Sequence, residues 1–331
     1  MQKVMISPTR IGHLNLFVSD VEASGAFYRD ICGFREVFRE QAISMIFMSN
    51  GNTHHDLGLM EITPGERRGR DGFKHSASKT PGLNHLGFEM DNEAELVEAY
   101  ERARRADVRI NNATDHQISR SIYVRDPDGH MFEFYADSIE DWKGFYANNV
   151  GSLISGPWEP NLDTADRVSR TNREPEFHRD TAAAMQARNV AYAGLPVRDL
   201  AESLEFYVDV FGMSISFKDI DGRFAALQGV GNGGCDVVLV EMASPPPARM
   251  LFGGVNLHDG KPLEDSITLL RDRDVPFMTI GDTAAEVALI ALDPDRIPLV
   301  YSNGSALALF EGHGAEVIAK VGQMLASREY V

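Results

Sequence analysis

The stretch IGHLNLFVSDVEASGAFYRDICGF, residues 11–34, returns in altered form as VAYAGLPVRDLAESLEFYVDVFGM, residues 190–213, at a shift of 179 (190 less 11). Eight of the 24 paired positions are identical: Leu16/Leu195, Val18/Val197, Asp20/Asp199, Ser24/Ser203, Phe27/Phe206, Tyr28/Tyr207, Asp30/Asp209 and Gly33/Gly212. An aromatic pair and a glycine held in register mark this as an internal repeat. Each copy reads as an alternating strand, an acidic cap at Asp20 or Asp199, a short helix and a glycine stop. Strand-rich sequence follows both, AISMIFMSNGNTHHDLGLMEI (42–62) and RFAALQGVGNGGCDVVLVEM (223–242).

A finer repeat lies inside each half. GLNHLGFEM (82–90) reads as a strand, NEAELVEAYERARRADV (92–108) as a helix, and SIYVRDPDGHMFEFYAD (121–137) as a hairpin. Their counterparts are MLFGGVNL (250–257), LEDSITLLRDRDV (263–275) and EVALIALDPDRIPLVYS (286–302). The chain therefore predicts an α+β fold of four βαβββ units in two pairs, with domains at 8–138 and 190–304. The polar, weakly periodic stretch 139–189 reads as a linker packed over the surface. Val317, Ile318, Val321, Met324 and Leu325 recur at helical spacing, so 305–331 is expected to hold an amphipathic helix docked on the second domain or on a subunit partner.

With 331 residues the chain can build two cores. Its 49 acidic and 32 basic residues give a net charge of −17, which argues against sequence-independent binding to nucleic acid or to an anionic membrane. The first residues lack the apolar run of a secretion signal, and no stretch approaches the ~20 apolar residues of a membrane span, so a cytoplasmic protein is expected. Cys32 and Cys235 show no CxxC spacing and read as small buried hydrophobes.

Three polar residues interrupt otherwise apolar strands: His13 in IGHLNLFV, His85 in LNHLGFEM and Glu133 in MFEFY. A carboxylate between Phe132 and Phe134 would be costly to bury unless it is protonated, paired or bound to a cation. Two imidazoles and one carboxylate at a common point form the facial triad associated with non-haem Fe(II). The repeat supplies an internal control. His13 aligns with Tyr192, and a shift of 167, fixed by Asp126-Pro127-Asp128 against Asp293-Pro294-Asp295, sets Glu133 against Val300 and His85 against Phe252. All three candidates vanish together in the second half, as expected of residues that act together.

The βαβββ units, the FYRDICGF helix end, the NHLGFEM strand and the RDPDGHMFEFYAD hairpin resemble the vicinal oxygen chelate superfamily, which includes glyoxalase I, extradiol dioxygenases, epimerases and fosfomycin-resistance proteins. The resemblance implies two half-barrel domains, with one metal held by His13, His85 and Glu133 in the first and a degenerate second domain. Extradiol catechol dioxygenases are the nearest sub-pattern. That implies a catechol-type aromatic substrate, O₂, and Fe(II), with Mn(II), Ni(II) or Zn(II) as other possible metals. It also implies catalytic roles for Tyr123, ten residues before Glu133 across the hairpin, and for His116. Ser49 stands where many members carry a distal histidine, for which His54 or His55 is a substitute. A homo-oligomer is expected.

A second enzymatic reading makes Glu61 a fourth ligand, as in glyoxalase-like isomerases; its other reading is a supporting or exposed strand-end carboxylate, in line with Glu241 at the equivalent place. A third reading is a small-molecule binding protein without catalysis. If His54 and His55 lie on a strand, alternation lets only one of them face the centre. His130, after the PDG turn, is expected to be exposed, the basic stretch 65–74 to be a solvated loop, and GVGNGG (229–234) a hairpin loop.

Overall fold

The computed structural model describes residues 5–62, 67–68, 74–75, 78, 80–149, 151, 153, 156–231, 233–245, 249–260, 262–282 and 285–327. Of the stretch 65–74, only residues 67, 68 and 74 lie among them. The first half runs β1 (Arg10–Val18), α1 (Val21–Phe27), β2 (Arg35–Glu40), β3 (Met45–Ser49), β4 (Leu57–Glu61), a two-residue ladder of β5 (Arg67–Arg68) and β6 (Lys74–His75), β7 (Gly82–Glu89), α2 (Glu93–Arg105), β8 (Ile110–Asp115), β9 (Ser119–Arg125) and β10 (Met131–Asp137). Then come α3 (Trp142–Asn148) and β11 (Gly156–Pro157). The second half runs β12 (Ala187–Val197), α4 (Leu200–Asp209), β13 (Ser214–Lys218), β14 (Phe224–Gln228), β15 (Val237–Glu241), β16 (Phe252–Leu257), α5 (Leu263–Asp272), β17 (Phe277–Asp282), β18 (Ala285–Leu292), β19 (Pro298–Ser302) and α6 (Ala306–Ala326).

The four-unit α+β architecture is borne out. The first sheet is ordered β11-β8-β9-β10-β7-β1-β4-β3-β2 and the second β13-β14-β15-β12-β16-β19-β18-β17. In each, the first strands of the two units pair antiparallel at the centre, and each unit's last strand joins its own first strand in parallel. GVGNGG falls between the antiparallel strands β14 and β15, as a hairpin connection.

Local chemistry explains the helix starts. Asp20 accepts hydrogen bonds from the N–H groups of Glu22 and Ala23, Asp199 from that of Glu202, and Asn92 from that of Glu95. Gly33, at φ +96°, closes the turn after α1 in the left-handed region that a β-carbon disfavours.

Strand alternation then sorts the two faces of each sheet. Leu14, Leu16 and Val18 of β1 join Leu195 and Val197 of β12 in a core that runs through both halves. Phe132 and Phe134 pack on Phe211 of the second half, at 4.8 and 5.0 Å between ring centroids. His13, Asn15 and Phe17 alternate with the core residues of β1 and so face the other way. On that second face the halves differ. In the second half α6 packs there, and Phe310, Val317 and Val321 are buried with Tyr192, Phe252 and Val300. Leu325 is 45% exposed. In the first half the corresponding face lines a cavity, partly closed by α3 and Leu153 from the stretch 139–189. That stretch also adds β11 to the edge of the first sheet.

The halves clasp each other reciprocally. Tyr28 Oη donates to Asp293 at 3.1 Å, and Tyr207 Oη to Asp126 at 2.9 Å. Ser19 N–H donates to Asp295 and Arg198 N–H to Asp128. Ile11 N–H donates to buried Asp236 at 2.8 Å and Val190 N–H to buried Asp56 at 3.3 Å. The Asp-Pro-Asp turns thus serve the junction between domains. His130 belongs to the same junction and is fully buried, contrary to the expected exposure. Its Nδ1 lies 2.8 Å from Asp126 and its Nε2 is 3.2 Å from the carbonyl of Arg249. A partner carboxylate and the opposing half draw the ring inward after the turn.

Candidate metal centre

Four neighbouring strands, β9-β10-β7-β1, carry the site. Glu133 stands opposite Tyr123 on β9 and opposite Gly87 on β7, and Gly87 in turn stands opposite His13 on β1. His85 precedes Gly87 by two residues and shares its face. A side chain on Gly87 would fall on the ring of His13, so the glycine makes room for that imidazole. The same register recurs in the second half, where Gly254 stands opposite Tyr192 and Val300. Phe252 faces Gly194 as His85 faces Asn15, so the expected pairing of His85 with Phe252 holds in the sheet.

The structure brings His13, His85 and Glu133 together. One ligand atom from each lies within 4.8 Å of the others, and all three residues are buried. His13 Nε2 is 3.1 Å and His85 Nε2 2.9 Å from Glu133 Oε2. The second contact lacks hydrogen-bond geometry, so His85 Nε2 is a buried nitrogen without a hydrogen-bonding partner. Burial pushes the His13 imidazole down to about 4, which keeps it neutral. Burial alone would raise Glu133, but the two imidazoles beside it outweigh that and hold the carboxyl well below the usual range. A carboxylate beside two imidazoles, one of which keeps an unpaired buried nitrogen, fits one divalent cation.

Around the triad stand the residues that fix it. Ser121 Oγ donates to Glu133 Oε1 at 2.5 Å. His116 Nε2 lies 3.6 Å from the same oxygen and 2.9 Å from Tyr123 Oη, so the two expected catalytic residues form a hydrogen-bonded pair beside the carboxylate. Burial lowers His116 and raises Tyr123 well above the ordinary phenol value, leaving both uncharged. The His13 ring is sandwiched between His55, at 4.1 Å, and Tyr135, at 5.2 Å. His54 Nδ1 is 2.8 Å from Asp137 Oδ1; burial would lower this imidazole, but Asp137 reverses the shift and raises it.

His54 and His55 both line the cavity, whereas alternation on a strand allowed one. Residues 50–56 form a loop between β3 and β4, which frees both rings to turn inward. Ser49 lies outside the cavity lining and donates to the Thr53 carbonyl and Asp56. Glu61 does not reach the triad: its carboxylate accepts from Val21 N–H at 3.3 Å, capping α1, as Glu241 caps α4 through Leu200 N–H at 2.9 Å. Sequence reading missed Ser121, Tyr135 and Asp137. All three share the parity of Tyr123 or Glu133 on their strands, and extending the alternation along both strands was the signal that could have found them.

The cavity above the triad has a volume of about 410 Å³. Its lining combines polar side chains, among them Asn15, Asn84, His85, His116, Tyr123 and Glu133, with the apolar Ile43, Met45, Phe47, Met60, Ile118, Tyr146 and Leu153. Its described lining contains no lysine or arginine.

Comparison with known proteins converges on one family. A model described as the Glyoxalase/Bleomycin resistance protein/Dioxygenase superfamily matches residues 10–134 and 189–324. Biphenyl-2,3-diol 1,2-dioxygenase 3 of Rhodococcus globerulus is 27% identical over 130 residues, 39% of this chain and 64% of that protein. Catechol-2,3-dioxygenase of Bacillus subtilis (strain 168) is 25% identical over 224 residues, 66% of this chain and 68% of that protein. Metallothiol transferase FosB of Lysinibacillus sphaericus is 26% identical over 140 residues, 41% of this chain and 88% of that protein. Among solved structures, the 2,3-dioxygenase LapB from Pseudomonas sp. KL28 superposes with a TM-score of 0.63 at 14% identity, covering 91% of this chain and 94% of that one. The Mn(II)-bound glyoxalase from Novosphingobium aromaticivorans superposes with a TM-score of 0.62 at 14% identity, covering 90% and 82%. These structural likenesses show the fold alone.

Proposed function

This chain belongs to the glyoxalase/bleomycin resistance protein/dioxygenase superfamily, and from that premise we propose that it is a non-haem Fe(II)-dependent extradiol dioxygenase cleaving a catechol-type aromatic with O₂. The observation that carries the reading is the three-donor cluster of His13, His85 and Glu133, of which His85 and Glu133 line the cavity together with the His116–Tyr123 pair. His13, His85 and Glu133 would hold the metal, Fe(II) or Mn(II) in its place. When bound, such a metal supplies coordination positions for a diol and for O₂ and favours ionisation of the diol.

The chain's own residues do the rest. Ser121 fixes the Glu133 carboxylate, and His55 and Tyr135 fix the plane of His13. His116 and Tyr123 hold a proton between Nε2 and Oη, where it can pass to or from a substrate oxygen. The apolar wall seats the ring and keeps water from it.

Glu61 bears on the glyoxalase-like alternative. As a cap on α1 it gives the His13, His85 and Glu133 cluster no fourth donor of the kind an isomerase centre with Ni(II) or Zn(II) would use. The described lining, which holds no lysine or arginine, also suits a neutral aromatic better than an anionic thiol conjugate. The test is anaerobic loading with Fe(II), addition of a catechol panel, and admission of air. The expected result is a yellow ring-fission product with stoichiometric oxygen uptake. Absence of product from every catechol, with oxygen-independent turnover of a hemithioacetal under Ni(II) or Zn(II), would establish the isomerase instead. If neither occurs and no metal binds, the binding-protein reading stands.

A further inference from the structure

Glu40 is a buried carboxyl in the cavity lining that the metal chemistry does not use. It ends β2, is 4% exposed, and stands beside the apolar group of Phe38, Ile43, Phe47, Tyr146 and Leu153. Its one described hydrogen bond is a long one, 3.4 Å from the N–H of Leu153. The repeat again offers a control. Glu40 pairs with Met45 across the β2–β3 turn, and a shift of 179 carries it to Asp219 before β14. Asp219 accepts short bonds from Arg223 N–H at 2.6 Å and Phe224 N–H at 2.9 Å, closing its own turn. Glu40 makes neither bond and instead borders the cavity.

A carboxyl buried with so little compensation is costly, and a ligand that carries a donor to it recovers part of that cost. The rest of the lining points the same way. A volume of about 410 Å³ is more than an unsubstituted diol ring fills, and Glu40 shares the lining with the apolar side chains of Ile43, Met45, Phe47, Tyr146 and Leu153. A substituent ending in a carboxylate would meet the lone pairs of Glu40 and no described lysine or arginine.

We propose that Glu40 is a specificity-determining residue, and that the site takes catechols whose apolar substituent ends in a hydrogen-bond donor, an amine or a hydroxyl, while disfavouring those that end in a carboxylate. The proposal rests on the catechol reading above. It is tested by anaerobic calorimetry on the Fe(II)-loaded full chain. The probes are 4-alkylcatechols with ethyl, butyl and hexyl arms, each arm ending in methyl, hydroxyl, amine or carboxylate.

At the best-fitting arm length, the amine or the hydroxyl binds about tenfold or more tighter than the carboxylate, and Glu40→Gln cuts the amine-to-methyl affinity ratio by about tenfold. Equal or tighter binding of the carboxylate by the wild-type protein overturns the proposal. So does an unchanged ratio in a Glu40→Gln protein that unfolds like the wild type. Should that variant not fold, the wild-type series decides alone. Failure of every probe to bind overturns the catechol reading and this proposal with it, whereas binding of the methyl-ended probes with flat ratios overturns only the role of Glu40.

Discussion

A glycine and a tyrosine show what single positions contribute to the site. Gly87 and Gly254 hold equivalent places, one under His13 and the other under Tyr192. Gly87→Ala should displace the His13 ring and weaken metal binding about 10- to 100-fold, read as metal content after dialysis against a graded chelator. Gly254→Ala should lower stability and leave metal content unchanged. Loss of metal from both variants would sink the assignment of the site to the first half alone. Tyr123→Phe removes the hydroxyl that pairs with His116 and leaves the triad intact. Its metal content should match the wild type while kcat falls about 100-fold or more; an unaltered kcat would remove Tyr123 from the proton path. The triad was legible because a histidine or glutamate in an apolar strand needs a physical reason, and the repeat showed all three lost together. His130 was misjudged because its polarity and its turn pointed outward, while Asp126, four residues away, draws it in.

The same face of the two sheets has opposite fates according to the element that meets it. α6 lies on the second sheet, with Phe310 stacked 5.9 Å from Phe252 and edge-on to Tyr192 at 5.5 Å. Phe310→Ala should destabilise the protein by about 3–5 kcal/mol in denaturant unfolding, with the metal content of the remaining folded protein unchanged. A large loss of metal would mean that the helix supports the first site too. The amphipathic spacing announced the helix, but no local signal told whether it would seat on this domain or on another subunit. The loop 50–56 shows the converse failure. A strand reading of NTHHD admits one inward histidine, and the loop that forms admits two.

At the scale of the molecule, buried aspartates tie the halves together. Burial raises Asp293 and Asp56 to about 7 and Asp236 to about 6. Between the ordinary aspartate value and these raised ones, the folded state holds protons that the unfolded chain has released, so each carboxyl makes stability fall as pH rises. His13, His55 and His116, lowered by burial, act with the opposite sign near and below pH 6.5, because the unfolded chain takes up their protons first. The contribution of one aspartate therefore needs a difference measurement. The stability of metal-free wild type relative to Asp293→Asn should decline from pH 5 to about pH 7 and then level off, by a few kcal/mol at most, since one pKa unit is about 1.4 kcal/mol. A flat difference across that range would show that Asp293 is not the raised group.

The sequence by itself determined the four βαβββ units, their pairing and the three donors, because strand alternation and an internal repeat are local properties that one chain displays along its length. It also showed that Asp-Pro-Asp persists in both copies while Glu133 does not. Only the tertiary structure decided what that persistence serves, since the partners of Asp126 and Asp293 are tyrosines 81 and 265 residues distant in the chain. It likewise decided that Glu61 caps a helix, that both loop histidines turn inward, and that Glu40 borders a cavity closed by Tyr146 and Leu153. Each of those outcomes depends on what folds back against the residue, and no spacing within a single strand encodes it.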